Sequence, residues 1–357
     1  MGVFYASRET VKAALDVKET ARSNAQVDRA IEAASRQIEG SLHRRFYPQF
    51  DTRSFDWPNS QRARPWRLWL DANELVSVMS MTSGGVTIPP SNLTLYPDAG
   101  PPYNRVEIDI GSASAFSSGD THQQSISITG VYAGCHLDEA PAGVLAGAVA
   151  TIGATTVNVS DAAAVGVGDL LRVDTERMIV TGRSMLDTGQ NLGADLAASA
   201  AAVTVAVTTG SEYAVDEVLL IGSERMLVVD IAGNALTVKR SWDGSVLAVH
   251  TAGADIYAPR ALTVERGALG TTAATHLTAA PIARHVPPGP VVALCVGLSL
   301  AQVLGEQSGY ARPESRSGSS GTTSGSRPRT QEFGVGLAAL WKTAYASCGR
   351  KARIRGV

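Results

Sequence analysis

One stretch of this sequence occurs twice with its halves out of order, and that limits the available folds more than any other feature. Residues 157–180 superpose on 205–228 at a constant offset of 48, laying TVNV over TVAV and VGDLLRVDTERMIV over VDEVLLIGSERMLV. The second copy runs on into LTVKRSWDGSVLAVHTAGADI from Leu236, yet nothing similar follows the first copy at that distance. The missing half is LTVERGALGTTAATHLTAAPI from Leu262, at an offset of 26, with Arg240 over Arg266, Gly244 over Gly270, His250 over His276 and Ile256 over Ile282. A complete module at 203–259 is therefore expected inside another, which it splits into 155–185 and 261–286. The insertion falls on a hairpin tip, DIAGNA in the inner copy, where a longer loop costs little extra to close. TGRSMLDTGQNLGADLAASAAA then reads as the connector from outer to inner module.

Outside the repeat the pattern changes twice. Residues 1–50 read as helices. Ser7 caps one running to about Val17, and Ser23 with Gln26 forms an S-x-x-Q capping box for a second. In that second helix Val27, Ile31, Ile38 and Leu42 share a face, and Pro48 blocks continuation. Residues 51–133 carry short alternating runs such as TRSFDW, RLWLD, RVEIDI and SISITGVY, broken by turn residues, which predicts an antiparallel β module with Trp66, Trp69, Val106, Ile108 and Ile126 in its core. APAGVLAGAVATIGATT reads as a small-residue linker into the nested insertion, 134–286. From 287 to 348 the pattern is helical again. Pro290 suits a first helical position, and the run carrying Leu294 and Leu298 is apolar nearly all round, so burial on several sides is expected. ARPESRSGSSGTTSGSRPRT is too polar to bury anything and predicts a mobile loop at 311–330. Thr330 caps a last helix with Phe333, Leu337, Leu340 and Trp341 on one face, and Gly349 stops it. The fold class expected is α+β: a helical bundle from the N- and C-terminal helices, an antiparallel β module and two nested small β modules.

At 357 residues the chain has room for several cores. Only 18% of residues are charged, against a usual ~25%, which favours turn-rich β structure. Charge is unevenly spread: from Gly309 onward there are nine Lys or Arg against two Glu. The cysteines, Cys135, Cys295 and Cys348, are odd in number and far apart, without metal-ligand spacing, and are expected reduced. The N-terminus lacks a signal-peptide pattern, and the longest apolar run, from Val291, is too short to span a bilayer, so a soluble protein made in a reducing cytosol is expected.

No phosphate-binding, dinucleotide-binding, nucleophile-elbow or zinc-protease motif is present, which argues against an enzyme. LDTG at Leu186–Gly189 matches the aspartic-protease signature, but occurs once and in a connector. Glu176 and Glu224, in the paired ERM segments, are expected in polar contacts with Arg266 and Arg240 or across the repeat, while the methionines fill cores. His250 and His276 recur at equivalent positions without a further ligand, so neither a metal site nor a cofactor is expected. The basic end, Arg350, Lys351, Arg353, Ile354, Arg355 and Val357, reads as a tail that docks on a protein partner, contacts DNA or is merely solvated.

ASRETVKAALDV, VDRAIEAASRQIEGSLHRRFYP followed by TRSFDWP, RPWRLWLDANELVSV, GPPYNRVEIDI and SISITGVYAG, with the terminal helix pair, resemble the head-to-tail connector (adaptor) proteins of long-tailed bacteriophages over about residues 3–133 and 287–357. The resemblance implies a structural virion protein of the neck, assembled in the bacterial host cytoplasm. Its copies would form a dodecameric ring on the portal protein, present the other face to a stopper or tail-completion protein, and let double-stranded DNA through without reading it. It implies portal docking by residues 349–357 and ring or bundle packing by Val27, Ile31, Ile38, Leu42, Leu294, Leu298, Phe333, Leu337, Leu340 and Trp341. The nested insertion departs from compact members and is expected to decorate the outside and touch capsid or tail proteins. No membrane contact is implied. The alternative is a β-rich adhesin or carbohydrate-binding virion module, which would display Tyr213, Trp242 and Tyr257.

Overall fold

Among the described residues, alternating and amphipathic patterns fold into four α-helices and seventeen strands, mixed α and β but mostly β, with every strand pair antiparallel. The computed structural model describes residues 2–15, 23–58, 65–307 and 329–350.

The helices are α1 (Arg8–Ala14), α2 (Asn24–Leu42), α3 (Gly289–Gln307) and α4 (Arg329–Cys348). Ser7 caps α1, its Oγ accepting from the Thr10 amide at 3.2 Å. This helix ends at Ala14, short of the expected Val17, which lies outside the described residues. Ser23 precedes α2 but makes no capping bond. Gln26 instead donates to Glu306 of α3 at 2.8 Å, so a tertiary partner wins over the local box. Nor does Pro48 end α2: His43 does so five residues earlier by turning left-handed at φ 53°. Helix α4 begins at Arg329, which places Thr330 inside the helix rather than at its cap or in the expected loop, whose remaining residues 311–328 lie outside the described ones.

Val27, Ile31, Ile38 and Leu42 are fully buried, in one cluster with Val3, Phe4, Tyr5 and Phe46 before and after them and with Val291, Leu294 and Cys295 of α3. Helix α3 packs against both α2 and α4. At its Gly297 an added Cβ would lie 3.0 Å from Leu340 and 3.1 Å from Leu337, so the missing side chain lets α4 approach closely.

Strands β1 (Gln49–Phe55), β2 (Arg67–Trp69), β3 (Leu75–Ser83), β4 (Val86–Ile88), β5 (Leu93–Tyr96), β6 (Arg105–Ile108) and β7 (Ile126–Tyr132) form two sheets, ordered β1-β7-β3-β4 and β2-β6-β5. Val106, Ile108 and Ile126 are buried between them, as their alternation implies. The expectation for Trp69 needs correction. Trp66, in phase with the inward Leu68 and Leu70, packs half-buried against the core, whereas Trp69 points the other way and faces the guanidinium of Arg105 at 5.3 Å.

The remaining strands make one large sheet: β8 (Asp138–Val144), β9 (Thr156–Asn158), β10 (Leu170–Val173), β11 (Glu176–Asn191), β12 (Thr204–Ala206), β13 (Val218–Ile221), β14 (Glu224–Ala232), β15 (Ala235–Lys239), β16 (Asp255–Glu265) and β17 (Pro281–Val286). Its order is β12-β15-β14-β13-β16-β11-β10-β17-β8, with β9 also on β16. Two separate apolar clusters lie along it. One draws on Ala142 to Val180 and Leu262 to Ile282, the other only on the interval between them, Leu192 to Ala258. Each starts before its expected boundary. Ala142, Leu145 and Val149, read as linker, belong to the first, and Leu192 and Leu196, read as connector, belong to the second. The first half of that connector, 181–191, is strand: β11 pairs with β16 from Ile179↔Glu265 to Asn191↔Asp255 through three register shifts, joining the clusters by a shared ribbon.

The first cluster's strands and turns are fixed to the segment before α1 and to β1 by close contact. Phe4 donates its amide to Gly168 O at 3.0 Å, and Gly168, at φ +98°, leaves no room for a Cβ, which would sit 2.1 Å from the Phe4 ring. Gly270, at φ +85°, meets Phe50 O in the same way, at 2.0 Å from an added Cβ.

Candidate functional site

Two features stand out: an apolar helix that the described residues cover only in part, and a pair of buried ionic nodes.

The sequence of α3 is apolar around its whole circumference, but only five residues of its 18-residue apolar window are fully buried. These, Val291, Leu294, Cys295, Ser299 and Val303, recur every three or four residues and form one stripe. As the all-round apolar sequence implies, α3 is packed from several sides, by α1, α2 and α4, but full burial is confined to that stripe. Val292, Val296, Leu298 and Leu300 are half-buried and Leu304 is 43% exposed. On α4, Leu337, Leu340 and Trp341 are half-buried and Tyr345 is 54% exposed. Phe333 lies in a part of α4 whose side chains are outside the described residues. A correction follows from the length of α3: by length and composition the segment Gly289–Glu306 is sufficient to cross a bilayer, contrary to the sequence expectation. Here it packs on α2 and α4 beside a folded β structure.

The end of α4 is pinned to the end of α2. Arg44 donates to Cys348 O at 2.9 Å, and the Arg350 amide donates to Leu42 O at 3.3 Å. Arg350, expected in a free tail, also donates to Ala72 O at 3.0 Å and lies 3.7 Å from Glu74. A buried carboxylate at the helix ends captures it. Lys351, Arg353, Ile354, Arg355 and Val357 lie outside the described residues.

The ionic nodes occupy equivalent places in the two repeats. Glu176, fully buried at the start of β11, accepts a bidentate pair from Arg266 Nε and Nη2 at 2.7 and 2.8 Å, the amides of Gly267 and Ala274 at 2.9 Å each, and contacts His276 Nε2 at 2.8 Å. Glu224 repeats the set with Arg240 at 2.7 Å twice, the amides of Ser241 and Ala248 at 3.0 Å each, and His250 at 2.9 Å. Each arginine also ties down the loop before its module, Arg266 through Ala154 O at 3.0 Å and Arg240 through Ala202 O at 2.9 Å. Burial alone pushes both carboxyls up, but the guanidinium, the histidine and the two amides outweigh it and hold each at about 2. With all its acceptor sites used, each glutamate joins strand, loop and turn and has none left for a substrate. One difference separates the copies. His276 Nδ1 meets Asp174 at 2.8 Å, whereas Gly222 stands at the corresponding inner position.

The remaining sequence candidates have local structural roles. In LDTG, Asp187 accepts the Gly189 amide at 2.8 Å and Thr188 donates to Ile256 O at 2.7 Å, a bulge in the long ribbon. The three cysteines are free, and burial pushes the Cys135 thiol up to about 12, far from the thiolate form. Among the described residues no group of three or more His, Cys, Asp or Glu is placed to hold a metal ion. Sequence pairing anticipated Arg266 and Arg240 as partners of the glutamates. It did not anticipate the loops they tie down, whose only signal was a run of small residues.

No family model, no curated protein and no solved structure compared with this chain matches it.

Proposed function

We propose that this chain is a structural head-tail connector (adaptor) of a tailed bacteriophage. Copies form a ring docked on the portal, join the DNA-filled head to the stopper or tail, and let DNA pass through the lumen; the protein assembles in the host cytoplasm and resides in the virion neck. The observation that carries the reading is the shared apolar cluster of the two chain ends, residues 3–47 with 291–344, from which the long β sheet extends. In this reading α1–α4 form the connector's helical bundle. The first repeat unit is interrupted by the second, and the two are appendages reaching toward capsid or tail proteins.

An apolar helix face left open on a folded chain marks a surface for another protein. In a ring each copy offers one face to each neighbour, and contacts of that kind close on rotation. The open sides of α3 and α4 suit that role. The adhesin reading has less support, because a glycan platform needs exposed rings, while Tyr213 and Trp242 are 6% and 9% exposed.

Three outcomes test the proposal. Wild-type protein is expected to appear as hollow rings, alone or on purified portal, in negative-stain images; strictly monomeric particles in both preparations would reject it. Leu304→Glu, which puts charge on the open face and leaves the buried stripe intact, is expected to shift the ring to monomers in sedimentation velocity with unchanged circular dichroism. Removal of residues 351–357, keeping Arg350 and its contacts, is expected to leave ring formation intact and to abolish co-sedimentation with portal. Undiminished co-sedimentation would remove the tail from the docking mechanism.

A further inference from the structure

A cleft of about 470 Å³ opens where the C-terminal end of α2, the start of β1 and the end of α4 converge. Five arginines line it, Arg36, Arg44, Arg45, Arg53 and Arg350, against two glutamates, Glu39 and Glu74. Five minus two leaves a formal +3 there in a chain of net charge -2. The positive charge is thus concentrated in one concavity and is not a general property of the surface.

The donors are set out for carboxylates. Glu74 takes Arg44 Nη2 at 2.6 Å and stands 3.7 Å from Arg350, and Glu39 takes Arg36 Nη1 at 2.9 Å. Arg53 lies over the Tyr132 ring at 3.9 Å and is braced by Asn73 Oδ1 at 3.0 Å and Asp51 at 3.2 Å. These contacts fix the guanidinium planes without using all five N–H groups of each. Arg45, at the exposed rim, bonds Gln49 Oε1 at 3.1 Å.

We propose that this cleft binds an Asp- or Glu-rich segment of a partner protein. Fixed, forked guanidinium groups match carboxylates in bidentate fashion. The donors also lie on the floor of a concavity: the Arg44 side chain is only 14% exposed. An extended chain carrying acidic side chains reaches that floor, whereas the phosphates of a DNA duplex lie on a convex cylinder that meets only the rim. The inference stands independently of the connector reading, since it rests on this cleft alone.

The probe is a fluorescein-labelled octaglutamate peptide, followed by anisotropy with the full chain at low and at physiological salt. Binding that weakens with salt is expected. Arg45→Glu together with Arg350→Glu is expected to weaken it by about tenfold or more, and Arg29→Glu, an exposed arginine of the same helix outside the cleft lining, to leave it within about twofold. Because Arg350 also braces Glu74, Arg45→Glu alone serves as a second variant, with circular dichroism as the folding check. Equal binding by wild type and both cleft variants would overturn the proposal. So would a short DNA duplex displacing the peptide at lower concentration than unlabelled octaglutamate does, or inorganic phosphate displacing it as well as that peptide.

Discussion

Glu224→Ala is expected to destabilise the second repeat unit by about 3–5 kcal/mol, the cost of leaving a buried charge without its counter-ion. Arg240, 4% exposed, would lose both of its carboxylate bonds, and the amides of Ser241 and Ala248 would lose their acceptor. Hydrogen exchange locates the effect. Protection should fall in β12–β15, whose cluster draws only on residues 192–258, and persist in β10 and β17. Glu176→Ala should do the reverse, opening β10 and β17 around the first cluster. Equal loss throughout the sheet in both variants would mean that the shared β11–β16 ribbon makes the two units one cooperative body. A loss below about 0.5 kcal/mol, within the usual range for a neutral surface change, would contradict the role assigned to the nodes.

Acid is expected to undo both nodes within a defined window. The two carboxyls fall from an ordinary 4.5 to about 2 in the folded chain. The unfolded chain therefore binds protons first, so the stability these groups supply is complete above pH 4.5 and is lost as pH falls toward 2. The linkage amounts to about 3 kcal/mol for each node. Denaturant titrations over a pH series should show a plateau above about pH 5 and a steep decline below it. Glu224→Gln, which keeps the shape but cannot ionise, should remove its share of that decline. A wild-type curve flat down to pH 2.5 would show that the nodes are not held as ion pairs.

Much of the fold could be read before any coordinates. The offsets of 48 and 26 put Arg266 and Arg240 among the expected partners of Glu176 and Glu224, beside contacts across the repeat, and the fold pairs Glu176 with Arg266, 90 residues away, and Glu224 with Arg240. The face of α2 carried by Val27, Ile31, Ile38 and Leu42 was equally legible, since helical periodicity alone decides which side chains stack. Local signals failed where two solutions were close in energy. RLWL alternates in either phase, and the partner strand β6 rather than the tetrapeptide chose Leu68 and Leu70 for the core. Gln26 had a plausible bond in its own capping box, and Glu306, far along the chain, took it instead.

By itself the sequence determined the periodicities, the recurrence of the glutamate, arginine and histidine, and the out-of-order repetition of the two half-segments, since all of these are properties of order along the chain. Only the tertiary structure decided which side of α3 is covered, that the small-residue stretches at 142–149 and 192–196 are walls rather than linkers, and that arginines from positions 36, 44, 45, 53 and 350 converge on one cleft. These depend on contacts between segments separated along the chain, by tens of residues within the second cluster and by hundreds between the two ends, whose closure is governed by the packing of the whole and leaves no local periodic trace.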